Sequence, residues 1–423
     1  MKKTLLTICL VWMCFSLSAQ KIIDLSGKWS FSIDRQDNGE KEKWFSHTLN
    51  DFINLPGSMP EKQKGDEVTA KTQWTGSLYD SSYYYNPYME KYRKEGNIKF
   101  PFFLTPDKHY VGAAWYQKEV NIPADWKGER ILLFLERPHI ETTVWVNGQK
   151  TGMQNSLCVP HQYDITHYVR PGKCTITIRV DNRIKEINVG PDSHSITDQT
   201  QGNWNGIVGR ICLQTTPKTY FDDIQIYPEP EQKLARVKVV IKGTGTAKVK
   251  LSAESFNTDK KHIVPAIQQE IKLNKGVTET EMVLPMGNDM LLWDEFHPAL
   301  YKLKAEVTNG KKTEIKEIQF GMRRFEIKGK WFYVNGRKTQ LRGTVENCDF
   351  PLTGYAPMDV ESWERVFRIC RSYGLNHMRF HSFCPPEAAF MAADRVGFYL
   401  QPEGPSWPNH GPKLGLGQPI DKY

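Results

Sequence analysis

Leu375-Asn376-His377-Met378-Arg379-Phe380 is the stretch that decides how this chain reads. It is a short strand-like run set between two helical patterns. Upstream, Asp359 can cap a helix whose Trp363, Val366, Phe367 and Cys370 fall at i, i+3, i+4 and i+7, with Gly374 to stop it. Downstream, Pro386 sits at a helix start, Ala389, Phe390, Ala393 and Val396 make its apolar stripe, and Gly397 ends it. Thr339-Gln340-Leu341-Arg342-Gly343 and Phe398 to Gln401 supply strands on either side. Strand, helix, strand, helix, strand is the opening of a parallel α/β barrel. From Thr339 to Tyr423 there are 85 residues, whereas a closed eight-unit barrel takes about 250. Three strands are therefore expected, and Gly411 to Gly417 has no pattern that would cover their open edge. The expectation is a chain that forms the front part of a longer protein.

Working back toward the amino terminus, the grammar is all β. From Ile23 to about Tyr227, short alternating runs are separated by Gly, Pro and Asn turns, as in an antiparallel sandwich. Thr143-Val144-Trp145-Val146 runs into Asn147-Gly148, a pair that tolerates the positive φ angles of a type I′ hairpin. Pro228-Glu229-Pro230-Glu231 breaks the pattern and predicts a linker. Beyond it Val237, Val239 and Ile241 alternate, Val249 and Leu251 repeat the theme, and Asn309-Gly310 marks a second hairpin. That length suits an immunoglobulin-like sandwich. A third hairpin, Trp331 to Val334 with Asn335-Gly336, leads into the barrel-like segment. The predicted domains are 20–228, 229–320 and 321–423.

Composition bounds the rest. The 423 residues carry a net charge of +8, with 39% hydrophobic and 25% charged residues, ordinary values for a globular chain. Lys2 and Lys3, the apolar run Thr4 to Leu17 and the small Ser18-Ala19 read as an export signal over residues 1–19. Its removal leaves +6, a scattered excess that makes no case for nucleic acid. No apolar run of membrane-spanning length follows, so no integral membrane segment is expected after signal removal. The product would be periplasmic or extracellular. Cys158, Cys174, Cys212, Cys348, Cys370 and Cys384 include no pair two or three residues apart, which gives metal-finger and redox-motif readings no support. Six cysteines in some 400 residues are not a disulfide framework, and free, buried thiols are expected.

Six local patterns, in order, carry a resemblance. They are Leu25-Ser26-Gly27-Lys28-Trp29; Trp115-Tyr116 with Ile122-Pro123; Val144-Trp145-Val146-Asn147-Gly148 with Gly152 and Asp164-Ile165-Thr166; Trp293 through Pro298 with Leu300 and Tyr301; Gly321-Met322-Arg323-Arg324; and Leu341-Arg342-Gly343. Together they resemble glycoside hydrolase family 2, which includes β-galactosidases, β-glucuronidases and β-mannosidases. The resemblance implies a mainly β fold: a jelly-roll-like sugar-binding β-sandwich, an immunoglobulin-like β-sandwich, then the first three strands and two helices of an incomplete (β/α)8 barrel. It also implies a retaining hydrolase in which one carboxyl protonates the leaving oxygen and another attacks the anomeric carbon. Both catalytic Glu residues would fall beyond Tyr423, so no catalytic residue is assigned and the chain alone is expected to be inactive.

Substrate-side residues are assigned by the same resemblance. Arg379 and His381 match an Arg and a His after the second barrel strand, although the family spaces them by three residues rather than two. Glu403 matches an acid beside the catalytic pair, and Trp407 could stack on a sugar face. In the loop after strand one, Val345, Asn347, Cys348 and Asp349 replace the Asn, His and acids of galactosidases, so no metal ligand is assigned. Asp198, Asn203 and Trp204, before Gly206-Ile207 and Arg210, match the loop reaching from the sandwich to the barrel mouth. The insertion from Tyr79 to Phe103, with Tyr83 to Tyr85, Tyr88 and Tyr92, reads equally as a substrate lid or as packing on the sandwich. No cofactor is called for, and the resemblance leaves a divalent metal in the full-length enzyme open. The expected partner is a β-linked glycan. The rival reading is a non-catalytic, exported carbohydrate-binding protein, and a third is a purely structural surface sandwich.

Overall fold

The computed structural model describes residues 21–76, 86–99, 101–185, 193–198 and 200–405. The export signal, Tyr79, Tyr83 to Tyr85, Trp407 and the glycine-rich tail lie outside the described residues. Among the described residues no helix is long and apolar enough to cross a membrane.

Alternation of apolar and polar side chains builds the first sandwich. One sheet holds Ile22–Asp24, Gly206–Thr216, Arg130–His139 and His161–Asp164 in that order, with Gly57–Ser58 paired onto Gly206–Thr216. The facing sheet runs Gln149–Asn155, Glu141–Val146, Gly172–Asp181, Ala113–Ile122, Gly27–Asp34 and Asp51–Leu55. Their inward residues, among them Trp29, Phe31, Tyr116, Leu133, Val144, Ile178 and Leu213, form one continuous core. The residues between them should then face water, but Trp115 and Trp145 are instead buried on the outer face beneath Trp44, Phe45 and Leu49. Phe45 stacks on Trp145 at 5.1 Å, and the Trp115 indole N–H donates to the buried Asp34. The hairpin predicted at Asn147-Gly148 is present, with φ of 50° and 77°.

The second sandwich packs three strands, Tyr220–Glu229, Leu234–Lys242 and Val277–Pro285, against four, Ile263–Leu273, Gly245–Phe256, Leu300–Asn309 and Lys312–Phe320. Val237, Val239, Ile241, Val249 and Leu251 all point into its core. The linker expected at Pro228 to Glu231 is corrected here: Pro228 lies in a strand and pairs with Ala235, and Pro230–Gln232 form the turn of that hairpin. Tyr220–Glu229 is an edge strand, where a missing N–H is tolerated. The chain passes between sandwiches near Pro217 to Thr219 instead. Asn309 likewise pairs with Lys312, so the second hairpin turns one residue later than predicted.

Past the antiparallel strands Phe325–Lys328, Trp331–Val334 and Arg337–Thr339 comes the β/α unit. Gly343–Glu346, His377–Phe380 and Tyr399–Pro402 form a parallel sheet with His377–Phe380 in the middle, and helices Val360–Ser372 and Glu387–Val396 cross between them. The sheet is open and not a closed barrel. Its first strand starts at Gly343 rather than Thr339, because pairing of Thr339 with Phe332 claims that residue for the preceding hairpin. Trp363 and Phe367 are buried as predicted. On the second helix Phe390 is exposed, whereas Ala388 and Ala392 are buried beside the predicted Ala389, Ala393 and Val396. Asp359 caps the first helix by accepting the Ser362 N–H at 2.7 Å. Asp359→Ala should cost about 1 kcal/mol, read as a shift in the urea midpoint of this unit.

Candidate functional site

In parallel α/β sheets the carboxyl ends of the strands are where chemistry is placed, because backbone and loops converge there. The middle strand ends at Phe380, followed by His381 and by Ser382, which takes a left-handed φ of 49°. That turn aims the strand-end groups at the first sandwich. Arg379 donates from Nε to one oxygen of Glu403, and the Ser382 N–H donates to the other at 2.9 Å. Burial pushes the Glu403 carboxyl upward, but Arg379 and the Ser382 amide outweigh it and hold it below its usual value. Glu403 is therefore an anchored carboxylate at neutral pH. Glu403→Gln should cost about 1 kcal/mol, since both partners are partly solvated, and urea unfolding would register it.

The sandwich answers with its loop Ser193 to Asp198. Ser193 and Ser195 hydroxyls donate to the Ser382 carbonyl at 3.1 and 3.0 Å. The His194 N–H donates to Ser382 Oγ at 2.9 Å, and His194 Nδ1 lies 2.7 Å from the same oxygen. His194 and His381 rings face each other with centroids 4.2 Å apart. Burial first, then the charge of His381, lowers His194 to about 4. His194 is thus neutral, as its contact requires: Ser382 Oγ receives the backbone N–H and gives its own proton to Nδ1.

The other residues singled out from the sequence separate into two groups. Asp198, Asn203 and Trp204 lie in the interior. Asp198 is fully buried; its oxygens accept the Thr75 N–H at 2.7 Å and the Asn203 N–H at 3.1 Å, with His109 Nε2 at 3.2 Å. Those acceptors are spent within the protein, so in this structure Asp198 clamps its loop rather than presenting a hydroxyl contact. Asn203 donates to the Asn182 carbonyl and faces His139 Nε2, and Trp204 stacks over His139 at 4.5 Å. Asp349, by contrast, is exposed in the loop after the first strand, and partial desolvation raises its carboxyl above the ordinary value.

Sequence reading missed Glu346, the last residue of the first parallel strand. Burial raises its carboxyl, which accepts the Cys348 N–H. Locating the strand four residues too early hid it. It also missed His194 and Ser382, whose contact spans 188 residues and leaves no local pattern. Among the described residues no three His, Cys, Asp or Glu side chains converge as a metal site. Two sizeable clefts of about 570 and 860 Å³ lie elsewhere, and neither is lined by Arg379 or Glu403.

Fold and site together define a multidomain β protein in which a sandwich loop meets the strand ends of a parallel β/α sheet. The sugar-binding-domain model of glycosyl hydrolases family 2 matches residues 22–217, and a second model of that family matches 219–323. The chain belongs to glycosyl hydrolase family 2. It is 24% identical to a β-glucuronidase of Homo sapiens over 417 residues, covering 90% of this chain and 57% of that protein. Identity to a β-galactosidase of Thermoanaerobacter pseudethanolicus is also 24%, over 74% of this chain and 42% of that protein. The chain spans about half the length of the curated relatives it matches. Among solved structures, a β-glucuronidase from Ruminococcus gnavus aligns with a TM-score of 0.67 at 20% identity, covering 91% of this chain and 60% of that one. A family 2 member from Bacteroides cellulosilyticus aligns at 0.66 and 21%, covering 90% and 47%.

Proposed function

We propose that this chain is the front part of an exported, retaining β-glycosidase, made of a sugar-binding sandwich, an immunoglobulin-like sandwich and the start of a catalytic barrel. The observation that carries the reading is the docking of Ser193, His194 and Ser195 onto Ser382, beside the Arg379–Glu403 pair. A sandwich loop seated on strand ends builds one wall of a sugar site. In this reading Arg379 and His381 face sugar hydroxyls or a carboxylate, and the neutral His194 borders them. Relatives named β-glucuronidase and β-galactosidase make β-glucuronides and β-galactosides the substrates to test. Export rests on the basic start and apolar run of residues 1–19, and fractionation of expressing cells checks it.

The chain by itself is proposed to be inactive. A retaining pair needs carboxyls about 5 to 5.5 Å apart. Glu346 ends the first parallel strand and Glu403 follows the last, so the middle strand lies between their backbones, which the strand spacing sets about 10 Å apart. Each is also anchored, Glu346 by the Cys348 amide and Glu403 by Arg379 and Ser382. A 2-fluoro glycoside, which traps the covalent intermediate of a retaining enzyme, should label the full-length product and leave this chain unlabelled. Labelling of neither would overturn the reading. Titration calorimetry separates the rival: a dedicated carbohydrate-binding protein would bind galactosides or polysaccharides tightly as the isolated chain, and the proposal expects feeble binding.

A further inference from the structure

Arg137, on Arg130–His139 of the first sandwich, reaches the turn that follows the middle parallel strand. Its Nη1 donates to the Cys384 carbonyl at 2.9 Å, and its Nη2 donates to the carbonyls of Cys158 and Pro385, both at 3.3 Å. One guanidinium thus grips the backbone at two cysteines that lie 226 residues apart in sequence. Two oxygens bonded to one such group lie within about 8 Å of each other, so the guanidinium holds the two backbone segments side by side.

Both cysteines line the same crevice, with Trp204, Gln201 and Phe383, and its volume is about 20 Å³. That is room for a water and nothing larger. The Cys158 thiol, raised by burial, also feels Arg137 and both the thiol and the amide of Cys384. Both cysteines are free, and each is half-buried as a residue. Of the other cysteines Cys348 also lies close enough to feel Cys158 and Arg137, but it is fully buried and its S–H is committed elsewhere. Cys174 and Cys212 sit within sheet strands, Cys370 is on the first helix, and the buried Cys348 donates its S–H to Gln201.

We propose that Cys158 and Cys384 are a redox-active pair that closes to a disulfide in an oxidising compartment and fastens the sugar-binding sandwich to the β/α sheet. The oxidant is a disulfide compound such as oxidised glutathione. One cysteine thiolate attacks its S–S bond and expels a glutathione thiolate; the second cysteine thiolate then displaces the remaining glutathione from the mixed disulfide. Two electrons pass from the protein sulfurs to glutathione, and the two thiol protons end on two molecules of reduced glutathione. Cys384 lies two residues beyond Ser382, so the bond would fix the turn on which the sandwich loop docks. The inference is independent of the proposed catalytic role.

The test is to incubate the purified, folded chain with oxidised glutathione at about pH 9.5, above the ordinary thiol value because burial raises both thiols, then alkylate and map peptides without reduction. The expected result is a loss of about 2 Da, two fewer alkylated cysteines and a Cys158–Cys384 linked peptide that dithiothreitol releases. The thermal midpoint should rise by about 5 °C. C158S and C384S should each keep every remaining thiol alkylatable; should either fail to fold, the wild-type peptide map decides alone. Thiols that all stay reduced, a stable glutathione adduct at either cysteine, or a link to Cys348 would overturn the proposal.

Discussion

Phe367→Ala is expected to unfold the β/α unit while leaving both sandwiches intact. Phe367 is fully buried, stacked on Phe398 at 4.8 Å and on Trp363 at 5.7 Å. Truncating such a ring costs about 3 to 5 kcal/mol, transfer and cavity terms together. The unit has a separate core, and the sheet it supports is open at both edges. The first sandwich has its own continuous core, to which Phe367 does not contribute. Limited proteolysis should cut between Gly343 and Pro402 in the variant and spare residues 21–320. Two thermal transitions should appear, only the lower of them shifted. A single transition shifted as a whole would show that the unit and the sandwiches fold as one.

Acid should destabilise the first sandwich steeply and well above the carboxylate range. His139, His161 and His194 are each at least nine-tenths buried, and burial lowers them to about 3, 4 and 4. In the unfolded chain they take up protons near pH 6.5. Between those values the unfolded state binds more protons, so stability is full above about pH 6.5 and falls as pH drops toward 4. Three such groups give a slope of up to about 4 kcal/mol per pH unit near pH 5. Asp181 works in another window. Burial opposes its ionisation, but Arg183, Lys185 and Arg179 more than offset this and hold its carboxyl far below the ordinary range. Its contribution is intact above about pH 4 and is lost only below that. Urea midpoints measured from neutrality down to about pH 4.5 check the histidine effect, and a flat profile would contradict it.

What could be read from the sequence follows the range of the interactions. Asn147-Gly148 and Asn335-Gly336 announce their turns because the positive φ angles are satisfied by those residues themselves. Asp359, Trp363, Phe367 and Gly374 outline a helix because cap, stripe and stop all lie within four turns. The order of sandwiches and β/α unit followed from such local signals. Pro228 misled because whether a proline breaks a strand depends on which edge of the sheet it occupies, and that is a long-range fact. Ala388 and Ala392 were passed over for Phe390 because which alanines are buried depends on the neighbouring elements, not on side-chain hydrophobicity. At the site, Arg379 and Glu403 were named separately and the structure joins them. Asp198 was named for an outward role, and its partners Thr75 and His109 turn it inward. Ser382 and His194 carry the contact between domains without any motif.

In the proposed function the strand ends around Arg379, His381 and Glu403 form one wall of a sugar site whose catalytic carboxyls this chain does not contribute. The most direct measurement is steady-state hydrolysis of nitrophenyl β-galactoside and β-glucuronide by the purified chain. Release of nitrophenol should be no faster than in buffer. Turnover well above buffer, abolished by Glu403→Gln or Glu346→Gln, would contradict it.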